Sequence, residues 1–145
     1  MSSIYVIAEA GVNHNGVLEN AFALIDAAAA AGADAVKFQT FVPEALASRH
    51  APLAAYQKIN TGTGQAQLDL LRRLALSDAD HHALLHHCAQ RGIAFLSSPF
   101  DARSADFLLR DMRLPRLKLG SGEITNGPLL LHIARSGVPL ILSTG

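Results

Sequence analysis

The sequence predicts a parallel α/β fold of the (β/α)8 TIM-barrel type, truncated after strand five. Three observations lead there. Short apolar runs alternate with helix-length segments, and repeated strand–helix units demand a parallel sheet with helical crossovers. Each run then delivers polar groups: Glu9 in YVIAEAG, Lys37 and Gln39 in AVKFQTF, Ser97 to Asp101 in AFLSSPFD, Lys118, Ser121 and Glu123 in RLKLGSGE, and Ser143 with Thr144 in PLILSTG. Loops leaving the carboxyl ends of parallel strands share one rim, where α/β proteins keep their chemistry. Finally, Lys37 and Gln39 lie two apart, on one side of a strand. A five-stranded open sheet of the flavodoxin type would bury that lysine under a helix and leave strand five an uncovered apolar edge. A barrel aims the lysine into its mouth. A full barrel takes ~250 residues, so residues 1–145 are read as a single domain, the N-terminal portion of a barrel.

Strand one is expected at about Ile4 to Ala8, followed by the loop EAGVNHNG and a helix from Leu18 to Ala31. Phe22, Leu24, Ile25 and Ala28 give that helix an apolar face, and Gly32 stands where a helix-ending glycine would. Strand two is Ala35 to Thr40. A polar insert from about Pro43 to Gly64 is too long for an ordinary βα loop, and its INTGTG reads as mobile. Helix resumes at Gln65, and a second helix opens with Ser77 as N-cap, acidic residues in its first turn and Gly92 at its end. Strand three is Ile93 to Ser97, its helix Ser104 to Met112, and strand four Leu117 to Gly120. Asn126 and Pro128 start the last helix, Gly137 ends it, and strand five is Pro139 to Ser143.

Composition narrows the function. Half of the residues are hydrophobic and 17% charged, as in a globular protein. Twelve basic residues against twelve acidic ones supply no electrostatic case for nucleic acid or an anionic membrane surface. One cysteine, Cys88, fits a reducing cytoplasm, and no leader or membrane-spanning pattern is evident. A cytoplasmic protein is expected.

The rim residues resist purely structural explanations to different degrees. A lysine inside an apolar strand is costly to bury, which points Lys37 and Lys118 to function. Glu9 also fits a simple ion pair with Lys37, Gln39 a core amide, Ser121 and Glu123 a turn, and Ser143 a strand end. SSPFD reads equally well as a tight turn with Asp101 near a helix start. His82 and His86 have metal-compatible spacing but fall on the solvated side of a helix whose buried stripe is His81, Leu84, Leu85 and Cys88, so no metal site is assigned. His14 sits in the first rim loop, where substrate contact and loop structure both remain open. Arg72 and Arg73 read as decoration of a solvated helix face.

The motifs AEAGVNHNG, DAVKFQTF, FLSSPFD, LKLGSGEITN and ILSTG together resemble those of the sialic acid synthase family, which includes N-acetylneuraminate, legionaminate and pseudaminate synthases. The resemblance implies condensation of phosphoenolpyruvate with an N-acylated amino sugar such as N-acetylmannosamine, giving a nine-carbon 2-keto acid and phosphate. It implies a divalent metal, Mn2+ or Mg2+, held by histidines outside this chain, and a homodimer when the chain is full length. Lys37 and Lys118 resemble the phosphoenolpyruvate-binding lysines, and Ser121 and Ser143 its hydroxyl donors. Glu9, Gln39 and Glu123 resemble the groups that meet the sugar and the reacting carbons. Such an anion needs cations and oriented donors, and glycines at 120 and 122 let backbone approach it. Glu123 is expected to serve the water-addition step and Glu9 to hold sugar hydroxyls. Two rivals stand beside this reading: a Schiff-base aldolase using Lys37 or Lys118, and a non-catalytic ligand-binding fragment.

Overall fold

A computed structural model describes residues 4–46 and 67–145. Its strands are β1 (Ile7–Gly11), β2 (Ala35–Thr40), β3 (Ala94–Pro99), β4 (Leu117–Leu119) and β5 (Leu140–Leu142). The helices are α1 (Leu18–Ala30), α2 (Pro43–Leu46), α3 (Gln67–Leu74), α4 (Asp78–Arg91), α5 (Ala102–Asp106) and α6 (Gly127–Ala134). β1, β2 and β3 form a parallel sheet in that order, and β4 pairs in parallel with β5 beside it. β2 therefore sits between β1 and β3. A flavodoxin-type sheet would instead place β1 in the middle, so the order is sequential rather than doubly wound. None of the helices among the described residues is long and apolar enough to cross a membrane.

Strand alternation sorts each side chain to one of two faces. On the outer face Val36, Phe38 and Phe95 pack with Ala21 and Ile25 of α1 and Leu84 and Cys88 of α4. Phe38 and Phe95 stack at 5.7 Å between ring centroids. Leu117 and Leu119 join Leu129 and Ile133 of α6 in the same core. Burying each such large side chain contributes ~1.5–3 kcal/mol, and that face holds the layers together. Burial also pushes the Cys88 thiol up to about 12, as befits a core residue.

The helix boundaries follow local chemistry. Ser77 caps α4 through a reciprocal pair with Asp80, and Gly92 closes it in the left-handed region at φ 69°. Asn126 caps α6, with Pro128 in its first turn. His82 and His86 are exposed while His81, Leu84 and Cys88 are buried, as the helical stripe requires.

Several elements differ from the sequence reading. β1 begins at Ile7 rather than Ile4, because Ile4, Tyr5 and Val6 lie largely in solvent. The Val6 N–H instead donates to the Asp34 carboxylate at 2.7 Å. The helix after β3 starts earlier than Ser104, because Asp101 caps it and Ser104 is its capped donor at 2.8 Å. It ends in a π-helical turn over Phe107–Asp111. Arg72 does more than face solvent: it pairs with Glu44 at 2.8 Å and ties α3 to α2. The INTGTG segment lies outside the described residues.

Gly16 is the tightest point of the first rim loop. Its φ is +76°, and a Cβ there would stand 2.0 Å from the Arg73 carbonyl oxygen. Gly16→Ala is expected to destabilise the fold by more than the ~1 kcal/mol of backbone strain alone, measured as a lowered urea midpoint. An unchanged midpoint would mean this packing is not held in solution.

Candidate active site

The inner face carries charge. Lys37 lies on β2 and is only 9% exposed. A cation buried to that degree needs a partner, and the register supplies one: Glu9 is paired with Lys37 across β1 and β2. Glu9 Oε2 and Lys37 Nζ are 2.5 Å apart, with the carboxylate itself about half exposed. Just past this pair β1 bulges, and Gly11 takes φ +56°. A Cβ at Gly11 would press on Glu9 Oε1 at 3.2 Å, so the absent side chain leaves the carboxylate its place.

A cleft of about 620 Å³ opens at the carboxyl ends of these strands. Glu9, Lys37, Gln39, Lys118, Ser121 and Ser143 all line it. Lys118, from β4, donates to Ser143 Oγ and to the Leu119 carbonyl, each at 2.7 Å. Burial lowers the Lys118 pKa from the ordinary lysine value; the nearby Lys37 charge pushes the same way, and Glu9 acts against both. Ser121 opens the 3₁₀ turn Ser121–Glu123 and faces the cleft from its far wall.

Glu123 and His14 are not among the residues that line this cleft. The Glu123 carboxylate accepts a hydrogen bond from Asn126 Nδ2 at 2.7 Å, beside the α6 cap. His14 is buried at 1% exposure, its Nδ1 accepting the Gly16 N–H at 3.0 Å. Burial and the neighbouring His81 lower its pKa, while Asp80 opposes them, so it serves the loop as a neutral ring.

Three cleft or near-cleft features depend on how β2 and β3 pair. Ser98, which the sequence leaves open between a turn and substrate contact, is the register partner of Gln39 on β3 and lines the cleft. Its hydroxyl is buried with no hydrogen-bond partner among the described residues. Only the β2–β3 register reveals which serine of the SSP run faces inward. The other, Ser97, points to the helix layer, where Ser97 Oγ, Thr40 Oγ1 and His81 Nε2 form a chain at 2.7 and 2.9 Å. Asp101 caps α5 and also accepts the Val42 N–H at 2.8 Å, tying the exits of β2 and β3 together.

Chemically, the cleft offers two cations, one carboxylate and several hydroxyls on rigid strand ends. That set suits a small, multiply charged anion. Among the described residues no group of His, Cys, Asp and Glu is placed to hold a metal ion. The resemblance likewise places the divalent-metal ligands outside these residues.

Comparison with known proteins gives one consistent answer. The sequence profile of the NeuB family matches residues 24–145. The chain is 48% identical over 141 residues to the N,N'-diacetyllegionaminic acid synthase of Legionella pneumophila, covering 97% of this chain and 39% of that protein. It is 46% identical over 145 residues to the synthase of the same name from Campylobacter jejuni, covering 43% of its length. The crystal structure of the N-acetylneuraminic acid synthetase of Leptospira borgpetersenii, in complex with citrate, superposes with a TM-score of 0.80 at 30% identity, over 99% of this chain and 45% of that one. The chain thus spans less than half the length of these relatives.

The lowered Lys118 pKa sets a pH signature. A lysine binds an anion best when protonated, so affinity is present below its pKa and lost as pH rises through it. Inorganic phosphate is expected to dissociate at a pH below the ordinary lysine range of ~10.4, and Lys118→Met to abolish that step, as followed by calorimetry. A step retained in Lys118→Met would assign the titration to another group.

Proposed function

The chain belongs to the NeuB family, and from that premise we propose that it contributes the anion half of a sialic-acid-type synthase site. The proposed reaction condenses phosphoenolpyruvate with an N-acylated amino sugar. The observation that carries this reading is the convergence of Lys37, Lys118, Glu9 and the serine hydroxyls on one cleft. The sequential order of parallel strands suits the first part of a (β/α)8 barrel, whose sites lie at this end.

In the proposed reaction Lys37 and Lys118 hold the carboxylate and phosphate, and Ser98, Ser121 and Ser143 direct hydrogen bonds to their oxygens. The electron pair of the enol double bond forms the new bond to the sugar aldehyde carbon, whose oxygen takes up a proton. Positive charge then develops at the enol carbon bearing the phosphate oxygen. Glu9, placed inside the cleft, is the carboxylate best situated to stabilise that charge or take the proton of the adding water. The hemiketal so formed collapses to the ketone as its bond to phosphate breaks. Gln39 meets the sugar. Glu123, held by Asn126 outside the cleft wall, is the second candidate for the water's proton. The divalent metal and dimeric state implied by the resemblance belong to the same proposal.

A second reading has one observation in its favour: the lowered pKa of Lys118 suits imine chemistry. Its two donated hydrogen bonds argue against it, because they favour the charged ammonium over the free amine. Borohydride reduction in the presence of pyruvate is expected to leave the mass unchanged; a reduced adduct on Lys118 would move the site to aldolase chemistry.

In the complete protein, Lys118→Ala is expected to raise the KM for phosphoenolpyruvate more than tenfold, the loss of a charge-assisted hydrogen bond being worth ~1.5–3 kcal/mol. Glu9→Gln is expected to lower kcat by ~10²–10⁴, and by more than Glu123→Gln does. The reverse order would return the water-addition role to Glu123. Unchanged saturation by phosphoenolpyruvate in Lys118→Ala would remove that lysine from the site.

A further inference from the structure

A buried imidazole stands behind the cleft wall. His81 of α4 is only 2% exposed, and it reaches β2 directly and β3 through one hydroxyl. Its Nδ1 lies 2.9 Å from the Ser77 carbonyl oxygen, which can only accept, so Nδ1 carries the proton. Nε2 is then an acceptor for Thr40 Oγ1 at 2.9 Å, and Thr40 Oγ1 accepts from Ser97 Oγ at 2.7 Å. The hydrogens run one way, from Ser97 through Thr40 and His81 to Ser77. Thr40 follows Gln39 on β2 and Ser97 precedes Ser98 on β3, while Gln39 and Ser98 are register partners that line the cleft. From the helix side, the thread pins two strand ends whose other side faces the ligand.

We propose that His81 is a positioning residue for the cleft, holding the strand ends that present Gln39 and Ser98, and that it does so only while Nε2 is an acceptor. The inference rests on the reading above, in which Ser98 meets the oxygens of phosphoenolpyruvate, and adds a proton control to that site. A proton on Nε2 makes it a donor facing the Thr40 hydroxyl. That hydroxyl must turn toward Ser97, and the fully buried Ser97 hydroxyl must then turn away in its turn. The polarity of the thread reverses, and a charge enters a closed, largely apolar layer. The Gln39 backbone is within reach of the ring and favours its charged form, so the protonated ring draws on a residue that lines the cleft. Among the described residues, the titratable groups facing the ring are Asp78 and Asp80 of its own helix and His14 of the first rim loop. The two acids favour the charge, whereas a charge on either imidazole opposes one on the other. β2 and β3 bring hydroxyls, and the π-helical turn brings Phe107 edge-on at 5.7 Å, none of them charged. Burial outweighs the acids and holds the His81 pKa below the ordinary value. The neutral thread is therefore intact above about pH 6.5 and is lost as pH falls through the lowered pKa.

The test measures phosphoenolpyruvate affinity of the complete protein by calorimetry from about pH 8 to about pH 5, in wild type and in His81→Gln. The glutamine offers an acceptor that does not titrate. The ligand's own phosphate titrates alike with both proteins, so the difference between the two profiles belongs to His81. Toward the acid end, wild type is expected to lose about tenfold more affinity than His81→Gln. By linkage, saturating phosphoenolpyruvate is expected to lower the pKa of wild-type His81 further, read from its ring nitrogen-15 shifts. The field of a merely nearby anion would raise it. This second readout decides the matter if His81→Gln fails to fold. Parallel affinity profiles in wild type and folded His81→Gln, or a His81 pKa that the ligand raises or leaves unmoved, overturn the positioning role alone. Absence of phosphoenolpyruvate binding to wild type at every pH overturns the reading of the cleft, and the positioning role with it.

Discussion

The ion pair between Lys37 and Glu9 governs this architecture. Lys37 lies in the middle strand of the parallel sheet, nearly closed to solvent, and cannot remain there as an unpartnered cation. Its partner is in register on the adjoining strand. A slip of one residue would put Ala8 or Ala10 opposite Lys37 and turn the Glu9 carboxylate into the helix layer. The β1–β2 register, the bulge at Gly11 and the polarity of the inner face all follow from keeping this pair together.

The sheet divides its labour by face. The outer face is apolar, where α1, α4 and α6 cover it, and it supplies the burial energy. A polar thread through it, Ser97–Thr40–His81, is closed by the His81 Nδ1 contact to the Ser77 carbonyl at 2.9 Å. Because a carbonyl only accepts, Nδ1 carries the proton and Nε2 accepts from Thr40. Desolvation lowers the His81 pKa, against weaker opposing hydrogen bonds and acidic neighbours, and so favours this neutral form. The inner face meanwhile is free to hold Lys37, Gln39 and Ser98 at strand ends whose positions the outer face has already set. An anion site needs that rigidity, since its donors must be aimed before the ligand arrives.

Much of this was legible in the chain. Ser77, Asn126, Pro128 and Gly92 act as the end signals their chemistry predicts, because capping is local. Lys37 and Lys118 stand out because a lysine inside an apolar strand is costly to bury, while Gln39, Ser121 and Ser143 join them on the cleft wall only in the folded chain. The errors share one cause. Ile4 to Val6 read as strand by hydrophobicity, yet the regular ladder begins at Ile7, with Val6 making only the entry bonds from Asp34 and Ala35, and a ladder is a property of two segments. Ser98 and Ser97 are adjacent and identical, and only the partner strand decides which faces the cleft.

By itself the sequence determined the alternation of strands and helices, the caps, the family resemblance and most of the polar residues that line the cleft. These depend on periodicity, backbone propensity and the cost of burying charge, all of which act within a few neighbours. Tertiary structure alone decided the register that joins Glu9 to Lys37, the inward turn of Ser98 and the burial of His14. Each of these needs two or more elements to meet, and the side chains that meet are separated along the chain by distances no local signal spans.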